Sequence, residues 1–232
     1  MPHRIEGYGQ YPILDSYESE FFSITIQKLN NFLLFERVVE ASNEKYSTKL
    51  GIDASSIIFQ PSEPVFREVD TTLILLHFEE PLTMLPNSSL ELFTTLPIAT
   101  SVILSENGKS IPLDLIHLAP VKFTLYGDAH KGKICRYWKT NLSFSPVKTD
   151  FLRTCALNLN ISNSSAGTIK LTNLVFDFAY LEIIYSNQHC FSKAKVKILS
   201  ENIAETEFSP PGYIEGFNQS YDLLPTKKFS SP

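Results

Sequence analysis

The sequence predicts an all-β chain, built as two packed antiparallel β-sandwich-like units with very little helix. Three observations predict it. Apolar residues recur at every second position over many short stretches, the period of a strand with one buried face. Fourteen prolines and several turn dipeptides divide the chain into short pieces at the spacing of sandwich strands. Only Ala41–Leu50 and Leu113–Leu118 tolerate a helical turn, and neither is long.

Phe22, Ile24 and Ile26 alternate with Ser23 and Thr25, a half-buried strand. Further strands are expected near 30–39 and 56–60. Leu73 to Phe78 is apolar on both faces apart from His77, which suits a central strand. A strand near 90–96 follows. Val102–Leu104, Asn107-Gly108 and Ile111–Leu115 read as a hairpin, because Asn-Gly supplies the positive φ angles of a tight primed turn. Later strands are expected near 121–126, 134–144, 168–176, 179–186, 191–199 and 203–208. Between them, Cys155, Leu157, Leu159 and Ile161 alternate with Ala156, Asn158 and Asn160. Pro61, Pro64, Pro81, Pro86, Pro97, Pro112, Pro120 and Pro146 are placed at or near strand ends, where a missing N–H costs little.

Pro120 is the expected boundary. Residues 1–119 carry 7 Lys+Arg against 16 Asp+Glu, whereas residues 120–232 carry 13 against 9. The expected units are an acidic β unit over 1–119, a basic β-sandwich over 120–208 and a tail over 209–232. Pro210, Pro211, Gly212, Gly216, Pro225 and Pro232 give that tail little structure of its own. Its aromatics (Tyr213, Phe217, Tyr221 and Phe229) offer docking groups for the body or for a partner. The opposite charges of the two halves suit packing against each other or contact with a charged partner.

Composition excludes several classes. With 43% hydrophobic and 19% charged residues in 232, the chain is not disordered. A net charge of −5 argues against a general nucleic-acid binder. No apolar run reaches the roughly 20 residues of a membrane-spanning helix. Met1 to Gly7 lacks an apolar signal core, so a cytoplasmic location is expected. Cys135, Cys155 and Cys190 are scattered, which supports neither a disulfide framework nor a zinc knuckle. The Asn-x-Ser triplets at Asn87, Asn141, Asn160, Asn163 and Asn218 are read as turn chemistry. No cofactor and no metal site are expected. His3, His77, His117 and His189 are singletons without metal-ligand spacing.

The most distinctive stretch is Lys122 to Lys139. Gly127 and Gly132 bracket a loop that carries Asp128, His130, Lys131 and Lys133, a cluster able to hold an anion. Arg136 shares an extended face with Ile134, Trp138, Leu142 and Phe144. A guanidinium on an apolar face needs a carboxylate, a carbonyl cluster or water. The alternatives are a core ion pair, with Asp177 a candidate partner, stacking on Trp138, or a ligand clamp. Asp128, His130, Lys131, Lys133, Arg136 and Trp138 are therefore the candidate ligand-binding residues. Cys135 and His130 lack the third group and oxyanion donors of a thiol enzyme, and no catalytic residue is assigned. Lys193, Lys195 and Lys197 leave one face of one strand. They either protect an edge or form a basic strip for an anionic lipid headgroup, nucleic acid or an acidic partner, and no aromatic nucleic-acid signature accompanies them.

Phe123-Thr124-Leu125-Tyr126-Gly127, Gly132-Lys133-Ile134-Cys135-Arg136-Tyr137-Trp138, Asn173-Leu174-Val175-Phe176-Asp177 and Ala204-Glu205-Thr206-Glu207-Phe208 resemble an uncharacterised archaeal family, domain of unknown function four-three-two. The resemblance covers most of residues 5–208 and leaves the tail outside. It implies no activity, cofactor or catalytic residue. An association of relatives with mechanosensitive-channel proteins implies a cytoplasmic accessory role. Three readings follow: a non-enzymatic binding or interaction module, an enzyme or sensor acting on a small anionic ligand at the 127–136 loop, and a cytoplasmic accessory of a membrane channel. The expected partners are a protein or an anionic ligand, with peripheral membrane contact as the third reading's mode and nucleic acid not expected.

Overall fold

A computed structural model describes residues 2–51, 54–66, 69–106 and 109–221. In chain order the strands are β1 (His3–Arg4), β2 (Gly9–Pro12), β3 (Ser16–Glu18), β4 (Phe22–Leu29), β5 (Phe32–Val39), β6 (Glu44–Leu50), β7 (Ser56–Ser62), β8 (Leu73–Met84), β9 (Ser88–Pro97) and β10 (Ala99–Glu106). They continue with β11 (Lys109–Ile116), β12 (Phe123–Tyr126), β13 (Lys133–Thr140), β14 (Thr154–Asn163), β15 (Ile169–Asp177), β16 (Ile184–Ser186), β17 (His189–Ser200), β18 (Ile203–Ser209) and β19 (Asn218–Gln219). One 3-10 turn, Phe178–Tyr180, is the sole helical element among the described residues, and no described helix is long and apolar enough to cross a membrane. The chain is all-β, with mostly antiparallel sheets.

Four sheets form. The first has the order β1-β3-β4-β5-β6 and the second β11-β10-β7-β2. The third is β12-β13-β8-β15. The fourth is β19-β16-β17-β14-β9, with β18 pairing the later part of β17. An aromatic core joins the first two: Phe59 of β7 meets Tyr17 of β3 at 5.7 Å, Tyr11 of β2 at 5.6 Å and Phe22 of β4 at 6.4 Å between ring centroids. The third and fourth are joined by Phe176 against Phe208 at 5.1 Å, and by Thr94 and Thr140 sharing a 2.8 Å hydrogen bond.

The expected division at Pro120 is crossed by strand pairing. β8 pairs with β13 and β15, and β9 pairs with β14. The β8–β9 hairpin lies before Pro120 yet supplies a strand to both sheets of the later sandwich. The chain then returns to complete the second sheet with β10 and β11. Local alternation reports that a strand exists and which face it buries, not which distant strand completes its hydrogen bonds. The outer face of the second sheet is also buried: Gln60, Ser62, Ala99, Ser101 and Ile103 are at most 3% exposed. Leu152 seals that contact. The Tyr8 hydroxyl accepts from its N–H at 3.1 Å, and Thr100 donates to its carbonyl at 3.3 Å. These two bonds hold a leucine whose φ of 68° is in the left-handed region.

Other expectations change in detail. Ala41–Leu50 contains β6 rather than a helical turn, and Leu113–Leu118 runs out of β11. β6 is an edge strand with little apolar period, because only one side of it pairs and its side chains are mostly exposed. The Asn107-Gly108 turn lies outside the described residues, but its flanks pair as a hairpin with Glu106 opposite Lys109. Pro81 is inside β8 instead of at its end. The β15 register skips there, from Leu171 opposite Leu82 to Asn173 opposite His77, so the missing N–H falls in an irregularity. The tail is not featureless: β19 pairs with β16, and the buried side chain of Gln60 clasps the Tyr221 backbone. Its Nε2 donates to the carbonyl at 2.9 Å and its Oε1 accepts from the N–H at 3.1 Å.

Candidate functional site

The 127–132 loop connects β12 to β13, with Tyr126 opposite Lys133 at its neck. Asp128 organises the loop from within. Its carboxylate accepts from the N–H groups of His130 at 2.8 Å and Lys131 at 2.9 Å, and its carbonyl accepts from Gly132 N–H at 2.7 Å. A Cβ on Gly132 would fall 2.5 Å from that carbonyl, so the loop closes only over glycine. Asp128, His130, Lys131 and Lys133 are exposed at this end of the hairpin.

Arg136 and Trp138 lie further along β13 and point into the sandwich. Trp138 is half-buried and donates from Nε1 to Thr95 at 3.3 Å. Arg136 is 0% exposed. Its cross-strand neighbours are Phe123 and Ile74, and its guanidinium carbon lies 5.0 Å from the centroid of the Phe66 ring. His117 stacks on the same ring at 4.3 Å. The six candidate residues thus divide into four on an exposed hairpin end and two inside. Asp177 is not the partner of Arg136; it caps the 3-10 turn, accepting from Ala179 N–H at 3.1 Å. The opposite face of β13 buries Cys135 and half-buries Tyr137 between Lys122 and His77.

Burial pushes Arg136 down to about 10, so it stays charged at neutral pH. His117 is pushed down to about 4, first by burial and then by the Arg136 charge; a hydrogen bond to the Val65 backbone opposes this only in part. Unfolded, the same histidine would protonate near 6.5. Between these values the unfolded chain binds the extra proton, so stability falls as pH drops from about 6.5 through about 4. The loss attributable to His117 is on the order of 3 kcal/mol. Denaturant midpoints at pH 7 and pH 4.5 check this: His117→Gln loses less than wild type on acidification, and parallel losses would contradict the assignment.

A separate concavity, lined by none of these residues, lies on the fourth sheet. A groove of about 690 Å³ runs over the outer face of the fourth sheet. Lys193, Lys195 and Lys197 of β17 form its floor, with Asn160 and Ser162 beside them on β14. Glu91 of β9 lies on one margin, and Glu205 and Glu207 of β18 on the other. Register sets these rows: Lys195 is opposite both Asn160 and Glu207, and Lys197 opposite Ser162 and Glu205. Lys195 meets Glu207 at 3.7 Å with both side chains more than 60% exposed. Glu91 accepts from Asn158 Nδ2 at 2.8 Å. The lysines do not protect an edge, since β17 is paired on both sides. Among the described residues, no group of three His, Cys, Asp or Glu is placed to hold a metal ion.

A family model described as Protein of unknown function (DUF432) matches residues 7–232. The chain belongs to this family. The match extends through the tail, which the resemblance read from the sequence leaves out. Neither the curated proteins nor the solved structures include a match.

The lysine row is visible in the sequence, but its acidic and amide margins come from strands roughly 35 to 100 residues earlier and from β18. Arg37 of β5 is not among the candidates that the sequence offers. It is a buried cation with Nε donating to Asp114 at 2.7 Å and Nη2 to Glu44 at 2.9 Å. The signal was available, because Arg37 falls on the same face of β5 as Leu33, Phe35 and Val39.

Proposed function

We propose that this DUF432 chain is a non-enzymatic binding module that takes an extended acidic polypeptide segment across the outer face of its fourth sheet. The observation that carries the reading is the row Lys193, Lys195 and Lys197 on an interior strand at the floor of a groove of about 690 Å³. On an edge strand such lysines block unwanted pairing. Here both sides of the strand are already paired, and that role is filled. Alternate residues of a strand stand about 6.6–7 Å apart, the spacing of carboxylates on every second residue of an extended peptide. The exposed Lys195–Glu207 contact is the kind of ion pair worth little and easily exchanged for a ligand carboxylate.

Glu91, Glu205 and Glu207 balance the three lysines. A long polyanion would meet those carboxylates along its length, whereas a peptide can offer them backbone N–H groups. This favours a polypeptide over nucleic acid or an anionic membrane. The thiols fit a binding role better than nucleophilic chemistry: Cys135, Cys155 and Cys190 are buried, and burial pushes the first two up.

The test uses the full chain and a fluorescent extended peptide with Glu at alternate positions. Anisotropy is expected to show binding at low ionic strength that weakens as salt rises. Replacing Lys193, Lys195 and Lys197 together by Ser is expected to weaken it about tenfold or more, since three weak pairs together amount to about one tenfold step. A peptide of equal composition with its Glu residues contiguous should bind less well. Absence of binding at low salt, equal binding by the triple variant, or a preference for phosphatidylserine vesicles overturns the proposal.

A further inference from the structure

Buried polar groups in folded proteins are hydrogen-bonded, and each exception requires an explanation. Arg136 is such an exception. It is fully buried, yet its Nε, Nη1 and Nη2 have no hydrogen-bond partner among the described residues. The Phe66 ring supplies a cation–π contact at 5.0 Å. That contact does not satisfy the five N–H donors, which lie in the guanidinium plane. Arg37, also buried among the described residues, is 3% exposed and reaches two carboxylates. Arg136 keeps its charge at neutral pH despite burial. A second orphan sits beside it, since Nδ1 of His117, stacked on the same Phe66 ring, is buried and unpartnered.

Chance exposure of the fork to water does not explain the arrangement, because Phe66 packs on Arg136 and Phe123 packs on Phe66, with ring centroids 5.5 Å apart. A guanidinium fork presented by a strand, walled by aromatic rings and without a counter-ion among the described residues matches what planar or tetrahedral oxyanions need. We infer that Arg136 is the floor of an occluded binding site for one small oxyanion, a carboxylate or a phosphate group, held by the guanidinium fork. The site lies on β13 of the third sheet and is independent of the lysine groove on the fourth.

Phosphate and acetate, each compared with chloride at equal ionic strength, are the probes. A ligand that binds only the folded chain raises the unfolding temperature with the logarithm of its concentration. For a chain of this size, a hundredfold excess over Kd is expected to raise it by about 5–10 °C. Phosphate acting alone assigns the site to a phosphate group, acetate acting alone to a carboxylate, and either response supports it. Arg136→Met should abolish the response while unfolding no earlier than wild type without the anion, since a buried unmatched charge has been removed. Arg136→Lys, which keeps the charge and loses the fork, should weaken the response. The Lys193, Lys195 and Lys197 triple variant should keep it. The Arg136 Nε–H resonance of the wild-type chain gives a readout that no variant's folding affects, and it should move with the active anion. An unfolding temperature that rises equally with chloride, an equal response in Arg136→Met, or an Arg136 resonance that does not move overturns the inference.

Discussion

Arg37→Met is expected to destabilise the chain by about 3–5 kcal/mol at pH 7, because it strands a buried carboxylate. Arg37 is buried between Asp114, 8% exposed at its side chain, and the largely exposed Glu44. Burial pushes the Asp114 carboxyl up, and the guanidinium offsets only part of that. Without Arg37 the same carboxyl keeps only the Leu115 N–H, at 2.9 Å, against burial and the Glu44 charge, and it must either stay charged without a counter-ion or take a proton. Asp114 sits on β11 and Arg37 on β5, so the pair also ties the first sheet to the second. Urea midpoints check the figure. The double variant Arg37→Met, Asp114→Leu should recover most of the loss, since replacing a whole buried pair by apolar groups is often neutral. A single variant within error of wild type would mean the pair contributes nothing. The contrast with Arg136→Met, for which no loss is expected, separates a paired buried cation from an unpaired one on the same fold.

Phe59→Ala should cost a similar amount, about 3–5 kcal/mol, the range for truncating a fully buried aromatic residue. Phe59 is 0% exposed and touches rings from three strands, Tyr11, Tyr17 and Phe22. No small shift of one neighbour fills the space it leaves. Because β8 and β9 couple the two sandwiches and the outer face of the second sheet is also buried, the loss should appear as a shift of one cooperative transition. A loss under about 1 kcal/mol would contradict the packing of the first two sheets, and a separate early transition would contradict their coupling to the rest.

What was legible in the sequence was whatever period and turn chemistry record locally. Leu73 to Phe78, apolar on both sides, does lie inside a sheet, between β13 and β15. The alternation of Cys155 to Ile161 buries the side it marks. Pairing was not legible, because a strand's apolar pattern is the same whichever neighbour it has. That is why the β8–β9 exchange across Pro120, the parallel pairing of β14 with β17 and the interior position of the lysine strand emerge only in the fold. The tail's docking depends on Gln60, 161 residues before Tyr221, and a polar Pro- and Gly-containing segment carries no local sign of it. At the site, alternation places Arg136 inside with Trp138, but it does not show that Ile134 and Phe144, assigned to the same face, are exposed. Alternation with Leu33, Phe35 and Val39 marks Arg37 as a second inward-facing cation. A carboxylate partner, present for one arginine and absent for the other, is a property of distant strands.

Backbone amide chemical shifts recorded while the alternating-Glu peptide is titrated into the full chain test the central claim most directly, because they report the surface and not only the affinity. The account predicts perturbations gathered on residues 89–91, 160–162, 193–197 and 205–207, where four strands line the groove. Perturbations centred on the 127–133 hairpin, or a spectrum unchanged by the peptide at low salt, would contradict it.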